Sequence, residues 1–512
     1  MHPSVHARAN PDKPALIIAE TGRVISFGEL DARSNQGAHL LRQCGLQVGD
    51  AVAVLLENHP LFLEIAWAAQ RAGLYLVALP SRLTLPEIEY ILRDCNARAF
   101  ITSSTLGGSN ADELARVAGA IDLFMIDETA APFRSWENEV GAQPSTPIKD
   151  ERAGADMLYS SGTTGRPKGI RPPLAPEGAI TTLSSVARVA QAHFGIGEDS
   201  VYLCPAPLYH AAPLRWSMAT QQLGGTVVLM KKFDAVAALE AIERYRVTVG
   251  QWVPTHFIRM LQLPQNVRDS FDLSSMRRAI HAAAPCPVPV KQAMIAWWGP
   301  ILKEYYAGTE SNGMTAIDSA EWLTHQGSVG RAIKGTVRIC DENGEPLPAH
   351  QTGLIYFEAG GDFEYHNDPA KTAEGRNTYG WTTIGDIGWL DDDGYLYLTD
   401  RKSFMIISGG VNIYPQEIEN LLATHPKIAD AAVIGVPDAE MGERVVAVVQ
   451  PLQWQDAGPA FAEELNLWMR GQLSGVKVPK QIDFRQELPR EPTGKLYKRL
   501  LRDEYRAAAG VN

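Results

Sequence analysis

The chain has 512 residues, 45% hydrophobic and 21% charged, an ordinary globular composition in a length too great for one core. Its 47 basic and 59 acidic residues give a net charge of −12 with no offsetting basic tail or stripe, which argues against nucleic acid as a main partner. The five cysteines (Cys44, Cys95, Cys204, Cys286, Cys340) show no C-x-x-C pair, so neither a disulfide framework nor a zinc site is expected, and a reducing cytoplasm fits best.

From the N-terminus, Met1-His2-Pro3-Ser4 starts no apolar signal core, and no 18-residue apolar stretch free of charge predicts a membrane span. Over residues 1–150 helical and strand patterns alternate. A helical run opens at Phe27 and ends near Gly45, and strand Ala51–Leu56 follows. A helix over Leu61–Ala72 and a strand at Tyr75–Ala78 repeat the unit. This alternation predicts a parallel sheet with helices on its faces.

After Asp156-Met157-Leu158-Tyr159, the end of a strand, comes Ser160-Ser161-Gly162-Thr163-Thr164-Gly165-Arg166-Pro167-Lys168-Gly169. Glycines turn backbone N–H groups toward an anion, hydroxyls add donors, and Lys168 and Arg166 add charge, a combination suited to polyphosphate. The spacing is not G-x-x-x-x-G-K-[ST]. Alone, the stretch would also serve as a polar linker. Apolar runs at Val201–Cys204, Gly225–Met230 and Val247–Val253 continue the α/β pattern. His210 stands on an apolar stretch after Pro205-Ala206-Pro207-Leu208-Tyr209, where a structural role is equally open.

Ala282-Ala283-Ala284-Pro285 reads as ordinary loop material. The strand Ile301–Tyr305 runs into Tyr306-Ala307-Gly308-Thr309-Glu310, which alone would be a strand end with an exposed acid. From about 326 to 399, short strands such as Gly353–Glu358 and Gly394–Leu398 lie between Gly, Asp and Asn turns and predict a small antiparallel sheet or barrel. A boundary is expected at Asp400-Arg401-Lys402-Ser403. Beyond it a βαβ-like unit is predicted: a helix from Pro415 through His425, then strands Ala431–Val436 and Val445–Val449. A final helix follows at about 460–473.

Six segments in this order resemble the signatures of the adenylate-forming superfamily, which holds acyl- and aryl-CoA synthetases, peptide-synthetase adenylation domains and beetle luciferases. They are 159–169; Ala282–Pro285; Tyr306–Glu310; Trp381-Thr382-Thr383-Ile384-Gly385-Asp386; Ser408-Gly409-Gly410-Val411-Asn412-Ile413-Tyr414-Pro415 with Glu417 and Glu419; and Pro489-Arg490-Glu491-Pro492-Thr493-Gly494-Lys495. The resemblance implies an α/β fold. A large N-terminal domain, 1–399, would carry parallel sheets with helices and a small β-barrel-like subdomain. A small mobile α+β domain would cover 400–512.

The resemblance also implies the site. Ser160–Gly165 and Lys168 would cradle the phosphates of ATP. Ala283, Ala284, Pro285 and Tyr306 would hold adenine, with Ala307 in place of the usual Gly. Thr309 would touch the α-phosphate and Glu310 would hold Mg²⁺. Asp386 would take the ribose hydroxyls, although Ile384 replaces the family's Thr, and Arg401, equally readable as a surface ion pair, would be a second ribose contact. Ser408, Gly409 and Gly410 would line the tunnel for the pantetheine arm of CoA, and Ser403 would be the hinge, a position often Asp or Lys. Lys495 would stabilise charge on the α-phosphorus during adenylation, a task a mobile point charge suits. His210, with Tyr209, Val253 and His256, would line the acyl pocket.

These roles amount to an AMP-forming acyl-CoA synthetase. Loading of a carrier protein, a non-catalytic nucleotide-binding protein and a luciferase-like oxygenase are the other readings, and a homodimer is left open. No charge stands out in Tyr209–Leu214 or Trp252–Phe257, so a hydrophobic acid is expected: medium-chain, aromatic or polycyclic. Arg215 and Arg259 nearby keep a dicarboxylate open.

Overall fold

In the computed structural model, residues 2–160, 167–175, 178–438, 440–490 and 496–508 are described. The chain forms two compact units. The first takes Met1–Trp252, Gln262–Ile280 and Asp362–Glu374. Here the alternating pattern produces parallel sheets. One has the lateral order Arg134–Ser135, Asp122–Ile126, Ala97–Ser103, Ala51–Leu55, Tyr75–Ala78, Ala155–Asp156. Every neighbouring pair in it is parallel. Ala51–Leu55 and Tyr75–Ala78 are buried at every position, as expected where helices cover both faces. Strands Pro14–Ile18, Thr226–Leu229, Val201–Cys204 and Val249–Trp252 also pair in parallel.

The sheet edge at Ala155–Asp156 leads into an antiparallel hairpin, Leu158–Ser160 with Lys168–Ile170, the two ends of the hydroxyl- and glycine-rich loop. Gly169 lies opposite Tyr159, and a Cβ there would sit 2.8 Å from the Tyr159 ring and 2.9 Å from Met157. Only glycine fits.

The second unit takes Val253–Leu261, His281–Gly361 and Gly375–Asn512. Antiparallel strands follow the lateral order Leu302–Ala307, Met314–Asp318, Ser328–Lys334, Leu396–Arg401, Asp386–Leu390, Gly353–Glu358, Thr336–Cys340. Further along the chain, Ile428–Asp438 and Gly442–Pro451 form a long antiparallel pair. Their alternation sorts side chains to two faces. Val433, Val445, Ala447 and Val449 meet Ile418, Leu422, Phe461, Leu465 and Met469 from helices Pro415–Leu422 and Pro459–Arg470. Ala432, Ile434, Val446 and Val448 meet Leu501 of helix Lys498–Ala508.

Two expectations are corrected here. The strands after Pro415–Leu422 are antiparallel rather than βαβ, because the few residues between Pro437 and Gly442 suffice for a hairpin and not for a crossover. Gly442–Pro451 finds its parallel partner in Gln481–Phe484 instead. The helix near 460–473 is also not the last, since Lys498–Ala508 follows.

Candidate active site

The antiparallel strands of the second unit bring three expected residues together. Asp386 and Arg401 are direct cross-strand partners, and Arg401 Nε lies 2.9 Å from Asp386 Oδ1. From strand Leu302–Ala307, further along the same sheet, the Tyr306 hydroxyl donates to Asp386 Oδ2 at 2.7 Å. Burial, and then the Asp386 carboxylate, hold the Tyr306 phenol well above its ordinary pKa, so it stays protonated and donates. The Tyr306 ring stacks against Phe357 at 6.2 Å, which fixes the plane offered to a base. Asp386 is thus a buried carboxylate held by two donors, with lone pairs left for further hydroxyls.

Past Ala307 the chain turns through Gly308, Thr309 and Glu310, and the Ser311 N–H returns to Gly308 O at 3.1 Å. A Cβ on Gly308 would sit 2.7 Å from Ile384 Cδ1 and 2.8 Å from Glu310 Oε2. Ile384, the departure from the T-G-D pattern, therefore packs onto Gly308 and joins the two motifs. Lys334 Nζ donates to Ser311 O at 2.6 Å and pins the far side of the turn. One carboxylate here fits Mg²⁺, which keeps waters and takes substrate phosphate oxygens for the rest of its shell.

Ala283 has φ +77°, a left-handed conformation unfavourable for alanine, and it is exposed. Strain of this kind costs on the order of 1–3 kcal/mol and collects at ligand contacts. Just before it, His281 is fully buried, and among the described residues neither ring nitrogen has a hydrogen-bond partner. Its Nε2 is 3.7 Å from Glu304 Oε2, which pairs with Lys291 Nζ at 2.6 Å. Burial, and then Lys291, push the His281 pKa well down, so the ring is neutral. A cavity of about 260 Å³ borders this cluster, lined by Pro285, Cys286, Glu304, Trp322 and Leu421 among others.

In the first unit, Ser161–Gly165 and the side chain of Ser160 lie outside the described residues. The hairpin that carries them is braced. The Tyr159 hydroxyl donates to Asp94 Oδ2 at 2.5 Å. His366 N–H reaches Gly169 O at 2.8 Å, and Asn367 Nδ2 reaches Asp94 Oδ1 at 3.2 Å. Lys168 Nζ stands 5.7 Å above the Tyr365 ring. His210 is the N-cap residue of helix Ala211–Gln222, and its ring meets that of Tyr209 at 4.5 Å. Arg215 forms a 2.7 Å ion pair with Asp156, so its charge is already matched.

On helix Pro254–Leu261 of the second unit, His256 is buried and accepts the Val253 N–H at 3.4 Å. Burial and then Arg259 push its pKa down to about 3. Arg259 itself is exposed. Ser408 pairs with Val411, leaving Gly409 and Gly410 as a two-residue turn with φ +57° and +77°, the type I′ pattern. A Cβ on Gly409 would sit 2.5 Å from Met441 Cε, whereas none of the described atoms lies within 4 Å of one on Gly410. Ile407 and Val411 flank this tip as exposed apolar side chains. Ser403 lies in the turn after Leu396–Arg401, its carbonyl taking Arg502 Nη1 at 2.8 Å. Lys495 lies outside the described residues.

Asp94, Tyr365, His366 and Asn367 gave no local pattern in the sequence, because their contacts join segments nearly 200 residues apart or more. Glu304 carried a readable signal: it lies two residues before Tyr306, on the same strand face.

The family profile for AMP-binding enzymes matches residues 4–361, and that for the AMP-binding enzyme C-terminal domain matches residues 417–495. The chain is 34% identical over 503 residues to a feruloyl-CoA synthase from Amycolatopsis sp, covering 96% of each. It is 30% identical over 509 residues to the fatty acid–[acyl-carrier-protein] ligase ScoC of Streptomyces coeruleorubidus, covering 98% of this chain and 95% of that one. ATP-bound MatB from Rhodopseudomonas palustris matches at TM-score 0.82 and 29% identity, covering 99% of this chain and 100% of that one.

Proposed function

Since the chain belongs to the AMP-binding enzyme family and is an AMP-forming acid–thiol ligase, we propose that its acid is hydrophobic and its thiol is that of CoA. A carboxylate oxygen attacks the α-phosphorus of ATP, and the bond to pyrophosphate breaks. The CoA sulfur then attacks the acyl carbon, and AMP leaves. Tyr306 stacks on adenine between its ring and Ala283–Pro285. Asp386, oriented by Tyr306 and Arg401, accepts from the ribose hydroxyls. Ser160–Gly165, Lys168 and Thr309 hold phosphate oxygens. Glu310 would hold Mg²⁺, whose chemistry is to neutralise charge on the phosphates. Lys495 stabilises charge gathering between carboxylate and α-phosphate.

The observation that carries the nucleotide reading is the Tyr306–Asp386–Arg401 arrangement beside the Thr309–Glu310 turn. It joins an aromatic platform, a carboxylate and a phosphate-side acid on one antiparallel sheet and its connecting turn. Residues 400–512 move as one body about Ser403, exchanging Lys495 for the Gly409–Gly410 turn. The exposed Ile407 and Val411 beside that turn support its meeting the uncharged pantetheine arm, whose methyl and methylene groups they can cover. For the acid, the pairing of Arg215 with Asp156 and the exposure of Arg259 support a tail without a second carboxylate. The likeness to feruloyl-CoA synthase and ScoC supports aromatic or fatty acids. Five free cysteines support a reducing cytoplasm, and among the described residues no helix is long and apolar enough to cross a membrane.

ScoC favours a second reading, in which a carrier-protein thiol is the acceptor. Mass spectrometry separates the two. With ATP, ferulic acid and C6–C16 fatty acids, acyl-CoA is the expected product. Acyl-AMP that accumulates at saturating CoA, and is discharged only by a holo carrier protein, overturns the CoA reading.

A further inference from the structure

Two ion pairs flank residues 491–495, and the half-reactions above use neither. On the N-terminal side the Arg490 guanidinium grips both oxygens of Asp430 on strand Ile428–Asp438. On the C-terminal side Lys498 Nζ lies 2.8 Å from Glu419 Oε1 on helix Pro415–Leu422, with only 6% and 9% of the two side chains exposed. The same Glu419 oxygen accepts the Val433 N–H at 2.7 Å. Burial raises the Glu419 pKa and Lys498 opposes the rise. Lys498 Nζ also faces the Phe404 ring at 5.3 Å. The two flanks are joined: Arg490 and Leu496 form an antiparallel bridge, and the Tyr497 N–H donates to Pro489 O at 2.8 Å. Leu501, one turn after Lys498, is fully buried among Ala432, Ile434 and Val446.

A surface lysine would gain little from such a pair. A buried one leaves an uncompensated charge when its partner is lost, so its geometry is tightly enforced. The stem formed by Pro489–Arg490 and Leu496–Lys498 is therefore fixed to strand Ile428–Asp438 at one end and to helix Pro415–Leu422 at the other. A misplacement of about 1 Å in a group acting on the transition state costs about 10²-fold in rate.

We propose that Glu419 and Lys498 are a positioning pair for Lys495, acting on adenylation and not on thiol transfer. The inference rests on the role assigned to Lys495. The test measures the two half-reactions separately in the full chain. It uses the acid with the greatest pyrophosphate release among ferulic and C6–C16 acids, together with its chemically prepared acyl-AMP. Lys498→Met is expected to slow single-turnover pyrophosphate release by about 10–100-fold. Conversion of supplied acyl-AMP and CoA to thioester should stay within about threefold of the parent, and Lys498→Arg should restore adenylation. Glu419→Gln, which keeps an acceptor for Val433, is the second variant should Lys498→Met fail to fold. Unchanged adenylation, or an equal fall in both half-reactions, overturns the pair's role. Lys495→Ala run alongside separates the failures. If it splits the half-reactions and Lys498→Met and Glu419→Gln do not, the positioning inference alone falls. If Lys495→Ala itself does not split them, both readings fall.

Discussion

Asp386 shows how one buried carboxylate serves several partners. Tyr306 and Arg401 each hold one oxygen, so the group is oriented before any ribose arrives. Hydrogen bonds to a charged group are worth about 1.5–3 kcal/mol each, or about 10–100-fold in binding. Asp386→Ala should raise the KM for ATP by at least that factor while leaving the KM for the acid near its parent value. Equal rises in both would contradict the ribose role. Tyr306→Phe keeps the ring and loses only the tether, so a rise of a few-fold is expected.

Three histidines make a second prediction at this scale. Burial pushes down the pKa of His2, His256 and His281, with Arg71, Arg259 and Lys291 respectively as second causes. Unfolded histidine titrates near 6.5. Below that pH the unfolded chain binds protons that the folded chain does not. Stability therefore falls as pH drops below about 6.5, by up to about 1.4 kcal/mol per pH unit for each such group. For His256 this loss continues down to about pH 3. The thermal midpoint should drop between pH 7 and 5, and His281→Leu should drop less than the parent. Equal drops would contradict the assignment.

At the scale of elements, the Ser408–Val411 hairpin gives a clean test of the thiol channel. Gly409→Val would push into Met441, so a lost activity there would be hard to tell from distortion. None of the described atoms lies within 4 Å of a Cβ on Gly410, so Gly410→Leu meets only the left-handed backbone penalty, about 1–2 kcal/mol. It should leave pyrophosphate release intact and block thioester formation. Normal thioester formation in that variant would move the pantetheine path elsewhere.

Much at this scale was legible in the sequence. Strands such as Ala51–Leu55 and Tyr75–Ala78 are continuous apolar runs between helical segments, and the structure makes them parallel. Motif residues in tight turns, such as Gly308 and Gly385–Asp386, were visible because short-range geometry demands those residue types. Other features were not. Ile428–Asp438 and Gly442–Pro451 are apolar on both faces, so their pattern cannot distinguish a hairpin from a crossover. Helix Lys498–Ala508, by contrast, carries a readable signal that the sequence reading passed over: Leu501 and Tyr505, four residues apart among charged neighbours, join one apolar cluster. The brace from Asp94 to His366 and Asn367 is a tertiary event with no sequence shadow.

At the scale of the whole molecule, one chain has two chemistries to perform. Adenylation needs a cation where the carboxylate meets the α-phosphate, and thiol attack needs that space reopened. The same 400–512 body is assigned to both. The central claim is that Lys495 serves only the first. Removing one well-placed transition-state donor costs about 10²–10³-fold in rate, and a full charge can exceed that. The most direct measurement is the pair of single-turnover rates in Lys495→Ala: pyrophosphate release from ATP and acid, and thioester formation from supplied acyl-AMP and CoA. The first should fall by at least about 10²-fold and the second should stay near the parent rate. An equal fall in both rates, or no fall in the first, would contradict the claim.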